Sequence, residues 1–207
     1  MITVLDNPML DIYKSVKQYV KTATDMPWNF YAETCGTNPE DRPYYNTWGN
    51  TDTPFFSRNI ISRPGMDTGK FSLPSATQEM CFNVTEMLSD MLACNGIKVG
   101  TFFRVNVNMT LSSHPHICWS PRHVDHAFPH KSCLIYLDTP TTGGQFEVWE
   151  NTYDGKEQEP EWGKSEKIVT KEDMFIMFDG LHYHAGQSPT TIGEVRRCIV
   201  ATFNEWV

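Results

Sequence analysis

A histidine and an aspartate two positions apart, His123 and Asp125, are the residues whose types and spacing point most directly to chemistry. Side chains alternate along an extended strand, so this imidazole and this carboxylate would lie on the same side. A second imidazole, His184, and then a guanidinium, Arg196, follow later in the chain. Two imidazoles and a carboxylate can hold Fe(II) on one face and leave the opposite face open. The Arg adds a planar, charged fork that fits a carboxylate.

The elements that must position these side chains are predicted to be two helices followed by strands. Asn7-Pro8 is typical of a helix start, and apolar residues then recur at helical spacing to about Ala23. A second helix is predicted to open at Ser75 and to end at Asn95-Gly96. Residues 29–70 show little periodicity and are interpreted as a long excursion that could border a substrate opening.

From residue 99 onward the pattern changes to short alternating segments separated by turns, which is typical of strands. Trp119, Arg122 and His114, in the turns between them, could flank an active-site opening. Helices followed by many short strands favour a mainly β fold with helices packed on one face of a sandwich or barrel. The predicted strands are Val99–Leu111, Cys133–Leu137, Gln145–Glu150, Lys167–Thr170, Met174–Phe178 and Val195–Phe203.

Composition and charge narrow the classes of partner. The 207 residues include 40% apolar and 13% aromatic residues, enough for a sizeable core. The formal net charge is -8 with scattered Lys and Arg, so no nucleic-acid partner is expected.

The first twenty residues lack the apolar run of a signal peptide, and no stretch has the ~18 apolar residues of a membrane helix. The six cysteines form no C-x-x-C pair, so we expect a cytoplasmic protein with reduced thiols.

The C-terminal half resembles the 2-oxoglutarate/Fe(II)-dependent oxygenases, and most of all their prolyl-4-hydroxylase-like branch. The matching pieces occur in the family's order, whereas the N-terminal half resembles the family only in having supporting helices. The resemblance implies one oxygenase domain over 1–207, with helical support and a loop excursion in 1–98 and a double-stranded β-helix (jelly-roll or cupin-like) core in 99–207. The pieces are His123–Asp125, Cys133–Asp138, Gly143–Phe146, Phe178–Gly180, His184–Gly186 and Arg196–Ile199.

The resemblance also implies roles for individual residues. His182 and His184 would share a strand face, and either could reach a metal held by His123 and Asp125. The family's distal histidine precedes a small or apolar pair and then a proline, which favours His184, although Pro189 lies one place later than in the prolyl hydroxylases.

The cosubstrate anchor has a comparable alternative. A basic residue about ten positions after the distal histidine binds the far carboxylate of 2-oxoglutarate in this family, which favours Arg196 with Arg197 as the alternative. Tyr136 matches a position that bonds the same carboxylate in some relatives. Asn106 and Asn108, on the first long strand, could also line the cosubstrate pocket.

The implied cofactors are Fe(II), 2-oxoglutarate and dioxygen, with ascorbate as an optional addition. The implied reaction is hydroxylation of a small-molecule or peptide substrate, such as a prolyl or other amino-acid residue, with release of succinate and carbon dioxide. Asp125 favours hydroxylation, since halogenating relatives replace this carboxylate with a small residue. Dealkylases of nucleic acids carry a second Arg six residues after the first, where this chain has Thr202.

Two other classes remain as alternatives from the residues. A cupin-like metal enzyme that does not use 2-oxoglutarate would typically offer a third His or a Glu near the first pair, and His126 is available, but such an enzyme would require no dedicated cosubstrate Arg. A non-catalytic β-barrel binding module would use its histidines structurally, and structural or solvent-exposed roles are also expected for His114, His116 and His130.

Overall fold

Ten strands and two helices make up the part of the chain that the computed structural model describes, residues 1–31, 54–62, 75–112, 119–155 and 160–206. Most of the predicted excursion, together with His114 and His116, lies outside these ranges. The elements in chain order are β1 (Thr3–Leu5), α1 (Asp11–Thr22), β2 (Asn29–Tyr31), β3 (Phe55–Ile61), α2 (Ser75–Cys94), β4 (Val99–Leu111), β5 (Lys131–Tyr136), β6 (Gln145–Thr152), β7 (Ser165–Val169), β8 (Phe175–Asp179), β9 (His182–Gly186) and β10 (Val195–Glu205).

The strands form two antiparallel sheets that face each other. The large sheet has the order β1-β8-β5-β10-β4-β3-β2, and the small sheet has the order β7-β6-β9. Phe146 and Val148 of the small sheet pack with Ile176, Phe178 and other buried residues of the large sheet. This two-sheet arrangement confirms the predicted mainly β fold with a double-stranded β-helix core.

The second face of the large sheet is covered by α2. The apolar stripe of this helix is fully buried, as its spacing predicts, and it packs against alternate residues of β4 and β10. Gly96 takes a positive φ of 75° just after the helix, in keeping with the predicted stop at Asn95-Gly96. The stripe consists of Val84, Met87, Leu88, Met91 and Leu92.

The first helix begins later than predicted. It starts at Asp11, and Leu10 precedes it without a side-chain cap. Asn7 is instead used in a turn, where its Oδ1 accepts from the Met9 N–H and its amide donates to the Asp173 carbonyl. Because the Asn7 side chain is committed to these two bonds, the expected start at Asn7-Pro8 is wrong. None of the helices in the described ranges is long and apolar enough to cross a bilayer.

The strand predictions succeed best where alternation is longest. Strand β4 has the predicted bounds, and the other predicted strands are found within about two residues of their expected ends. Three strands in the first 98 residues were not predicted: β1 pairs with β8, β3 pairs with β4, and β2 pairs with β3. Two of them are only three residues long, which is too short for a periodic signal.

Candidate metal centre

His123, Asp125 and His184 converge in the space between the two sheets. Each offers one ligand atom, and these atoms all lie within 4.8 Å of one another. Asp125 Oδ2 is 3.7 Å from His184 Nε2. The backbones of His123 and His184 form an antiparallel bridge, with N–H···O distances of 3.1 and 2.9 Å. This bridge brings together two residues that are far apart in the sequence.

Alternation decides which side chains face the metal centre. Val124, between the two predicted ligands, points the other way and is fully buried with Trp149, Tyr183 and Ala185. On β9, Tyr183 and Ala185 flank His184 and share this outer cluster. The ligands and the residues that support them therefore occupy opposite faces of the same short segments.

The neighbouring predicted residues Trp119 and Arg122 belong to the outer side as well. Trp119 is packed against the outer cluster. The Arg122 guanidinium lies over the rings of Trp149 and Trp162, at 5.0 and 4.5 Å from their centroids. Neither residue lines the cavity that contains the three converging side chains.

Backbone carbonyls orient both imidazoles. His123 Nδ1 donates to the Pro121 oxygen at 2.8 Å, and His184 Nδ1 donates to the His182 oxygen at 3.2 Å. A carbonyl only accepts, so the proton is on Nδ1 and the Nε2 lone pair remains for a metal. Burial lowers the pKa of His184, although the Asp125 charge opposes this shift. The imidazole is therefore neutral at neutral pH, which is the form that coordinates metals.

The other described histidines do not join the three. His182 Nδ1 donates to the Trp149 carbonyl at 2.9 Å, so this ring lies outside the cluster. His126 Nε2 is 2.8 Å from Thr202 Oγ1, and its ring stacks on Phe128. His130 packs edge-on against His126. These contacts hold His126 and His130 within the packed interior beside the centre.

A cavity of about 110 Å³ connects the three converging side chains to the predicted cosubstrate residues. Tyr136, Arg196 and Asn108 line it, whereas Asn106 does not and lies instead against Ser57 at 3.2 Å. Its apolar wall includes Phe55, Leu134, Phe146 and Val200.

Several residues that line this cavity carry buried polar atoms. Tyr136 Oη, Arg196 Nε and Ser188 Oγ are buried and have no hydrogen-bond partner among the described residues. Burial raises the pKa of Tyr136, despite the opposing charge of Arg196, so its hydroxyl remains protonated. Buried polar groups are normally paired. All three can donate a hydrogen bond, and a carboxylate is an acceptor that suits a guanidinium and hydroxyl groups.

The position of the Arg196 guanidinium depends on a glycine. A Cβ at Gly186 would lie 2.8 Å from Arg196 Nη2, so a larger residue would displace the guanidinium. Arg197, the predicted alternative, faces the other side of β10. Its Nη1 lies 2.9 Å from Asp138 Oδ1, and it does not line the cavity.

Sequence reasoning missed Arg104. Its Nη1 donates to Asp125 Oδ1 at 2.5 Å, and both residues line the cavity. The alternation of β4 places Arg104 on the same face as Asn106 and Asn108, which was the available signal. What the sequence could not show is that this face meets Asp125, which lies outside the strands that pair with β4.

Solved structures similar to this chain share one fold. A 2OG-Fe(II) oxygenase-family oxidoreductase from Burkholderia pseudomallei is 16% identical, with a TM-score of 0.54 over 93% of this chain and 76% of the other. A prolyl hydroxylase from Trichoplax adhaerens, in complex with a hypoxia inducible factor oxygen degradation domain peptide fragment, is 14% identical, with a TM-score of 0.54 over 99% and 83%.

A third similar structure is the epimerase SnoN in complex with Fe3+, alpha ketoglutarate and nogalamycin RO. It is 11% identical, with a TM-score of 0.55 over 98% of this chain and 78% of the other. No protein-family model and no curated protein matches the sequence. The structural likenesses show that the fold is that of the 2-oxoglutarate/Fe(II)-dependent oxygenases, including prolyl hydroxylases, as the sequence resemblance predicts.

Proposed function

We propose that this chain is an Fe(II)- and 2-oxoglutarate-dependent dioxygenase that hydroxylates its substrate and releases succinate and carbon dioxide. One observation carries the proposal. A single cavity is lined both by the two-histidine, one-carboxylate cluster and by three residues with a buried polar group that has no hydrogen-bond partner among the described residues. Either feature alone has structural explanations. Their presence in one small cavity matches a metal and a dicarboxylate bound side by side.

His123, Asp125 and His184 would hold the metal. Two neutral imidazoles and a carboxylate form the donor set that suits Fe(II), and three ligands leave room for further groups. Bound Fe(II) supplies the activation of dioxygen that the protein's side chains cannot provide. The chain's own contribution is to keep both Nε2 atoms turned inward through the carbonyl bonds at Nδ1.

Arg196, Tyr136 and Ser188 would bind the far carboxylate of 2-oxoglutarate. The guanidinium provides the opposite charge that a buried carboxylate requires. The two hydroxyls would donate the remaining hydrogen bonds. Leu134 and Val200 line the same cavity and would exclude water from the carbon chain of the cosubstrate.

A peptidyl or free amino-acid substrate, such as a prolyl residue, is proposed from the likeness to prolyl hydroxylases. One of those similar structures contains a peptide fragment, and the epimerase contains nogalamycin RO. The fold thus serves both peptide and small-molecule ligands among its relatives. A screen of peptides and free amino acids, scored by substrate-dependent succinate formation, would identify which class this chain accepts.

Anaerobic titration of the Fe(II)-loaded protein with 2-oxoglutarate tests the proposal. We expect the visible charge-transfer band of the iron chelate in the wild type. Binding of Fe(II) with no band at saturating 2-oxoglutarate would contradict the proposal and favour a metal enzyme of another reaction type. His126 is the available third ligand for that alternative, and its contact with Thr202 does not support such a role.

A further inference from the structure

An ion pair between Arg104 and Asp125 lies in the wall of the cavity, beside the candidate metal ligands. Arg104 Nη1 lies 2.5 Å from Asp125 Oδ1, and the two side chains are only 13% and 3% exposed. A buried guanidinium in contact with a carboxylate forms a strong, charge-assisted hydrogen bond. The contact therefore fixes the orientation of a carboxylate that belongs to the candidate metal centre.

The two carboxylate oxygens of Asp125 have different surroundings. Oδ1 accepts from Arg104, whereas Oδ2 is the oxygen 3.7 Å from His184 Nε2. Arg104 thus engages Oδ1, whereas Oδ2 is the oxygen on the side of the His184 imidazole.

The guanidinium is itself held in place from its other edge. The Asn106 amide satisfies its hydrogen bonds when its oxygen faces donors and its nitrogen faces acceptors. In this orientation the Asn106 oxygen accepts from Arg104 Nη2 and Nε at 3.0 and 3.2 Å. Strand β4 positions both residues, since Arg104 and Asn106 are two apart on one face. Thr202, fully buried, is the partner of Arg104 on the neighbouring strand β10. Asn106 therefore serves the centre through Arg104 and not as part of the cavity wall.

We propose that Arg104 is a positioning residue that keeps Asp125 a one-oxygen ligand, an inference that rests on the proposed function. Carboxylates bind cations through either one or two oxygens. Binding through both would occupy a coordination position that 2-oxoglutarate or dioxygen needs. By engaging Oδ1, Arg104 keeps that position open.

The proposal predicts an unusual pair of effects for Arg104→Met. Removing a positive charge near the cation and releasing Oδ1 should leave the affinity for a divalent metal unchanged or tighter. The second oxygen should then displace one metal-bound water. Affinity of the metal-loaded protein for 2-oxoglutarate should weaken about tenfold, comparable to the smaller losses of metal affinity or activity found when residues that orient metal ligands are removed.

Mn(II), added at no more than one equivalent per chain, allows the bound waters to be counted by water-proton relaxation without any turnover. Arg104→Met should lower the relaxivity of the bound metal by about one third, because one of three water positions is lost. Arg104→Lys, which keeps the charge and a donor, should restore much of the wild-type value. His184→Ala gives the background from other weak sites.

Arg197→Met is the matched control. It removes another largely buried Arg–Asp pair, with side chains 17% and 14% exposed, that lies outside the cavity. It should change neither the relaxivity nor the affinity for 2-oxoglutarate. Asn106→Ala loosens the Arg104 guanidinium while keeping its charge, so its relaxivity should fall between those of the wild type and Arg104→Met.

Wild-type relaxivity in Arg104→Met would overturn this inference while leaving the proposed function intact. If that variant does not fold, wild-type relaxivity in Asn106→Ala would overturn it equally. A loss of metal affinity in Arg104→Met with an unchanged water count would also overturn it, since Arg104 would then act on affinity alone. A wild-type protein that binds no Mn(II) beyond the His184→Ala background would overturn the proposed function as well.

Discussion

The two faces of the large sheet carry different kinds of residue: one face packs in the apolar core with the helices, and the other lines the cavity. On β10, Ile199, Ala201 and Phe203 are fully buried in the core beneath the helices, whereas Arg196 and Cys198 line the cavity. Strand β4 divides in the same way, with its buried valines on the helix side and Arg104 and Asn108 on the cavity side.

This difference shows how the fold can tolerate a site that lowers its free energy of unfolding. Buried polar groups without partners cost roughly 1–3 kcal/mol each, and three such groups belong to residues that line the cavity. The helix side offsets that cost with closely packed apolar residues. Substitutions on the two faces should therefore separate stability from ligand binding.

The largest expected effect is on stability, from Phe203→Ala. Phe203 is fully buried on the helix side and packs edge-on against Phe102. Removing a buried aromatic ring typically lowers the free energy of unfolding by about 3–5 kcal/mol. Urea unfolding should show this loss, while Fe(II) affinity of the folded variant should match the wild type. A large loss of metal affinity with little loss of stability would contradict the separation of the two faces.

The next effect is on cosubstrate binding, from Arg196→Ala. Loss of the buried charge partner should weaken 2-oxoglutarate binding by roughly 2–5 kcal/mol, measured by calorimetry on the anaerobic Fe(II)-loaded protein. Arg197→Ala is the control, because Arg197 pairs with Asp138 outside the cavity. If Arg197→Ala shows the large loss and Arg196→Ala does not, the assignment of faces on β10 is wrong.

The smallest effect concerns a charge network whose side chains do not line the cavity. Asp173 contacts Lys17 at 2.6 Å and Tyr13 at 2.5 Å, which ties α1 to the turn before β8. Burial alone would raise the pKa of Asp173, but the hydrogen bonds from Lys17 and Tyr13 outweigh it and hold the pKa below its ordinary value.

The sign of the pH dependence follows from that lowered pKa. The stabilisation is fully present above the unfolded value of roughly 3.9 and is lost as pH falls through the lower folded value. The side chain is 32% exposed, so we expect less than about 1 kcal/mol. Asp173→Asn should lower Tm slightly at pH 7, and this difference from the wild type should shrink as pH falls below about 4, with metal binding at pH 7 unchanged. A difference that does not shrink on acidification would contradict this origin.

The sequence predicts the parts of the fold and of the site that depend on local patterns. The alternation of β10 separates Arg196 from Arg197, and the spacing of His123 and Asp125 places these two side chains on one side. Local patterns do not show contacts between distant segments. The Arg104–Asp125 pair, the turn that uses Asn7 and the pairing of β1 with β8 all depend on such contacts.

The central claim, that His123, Asp125 and His184 together bind one Fe(II), is tested most directly by anaerobic Fe(II) titration of matched histidine variants. His182 and His184 are two residues apart on β9, but only His184 belongs to the cluster. We expect one tightly bound Fe(II) per chain in the wild type and in His182→Ala, and loss of tight binding in His184→Ala. Tight binding that survives in His184→Ala and disappears in His182→Ala would contradict the account.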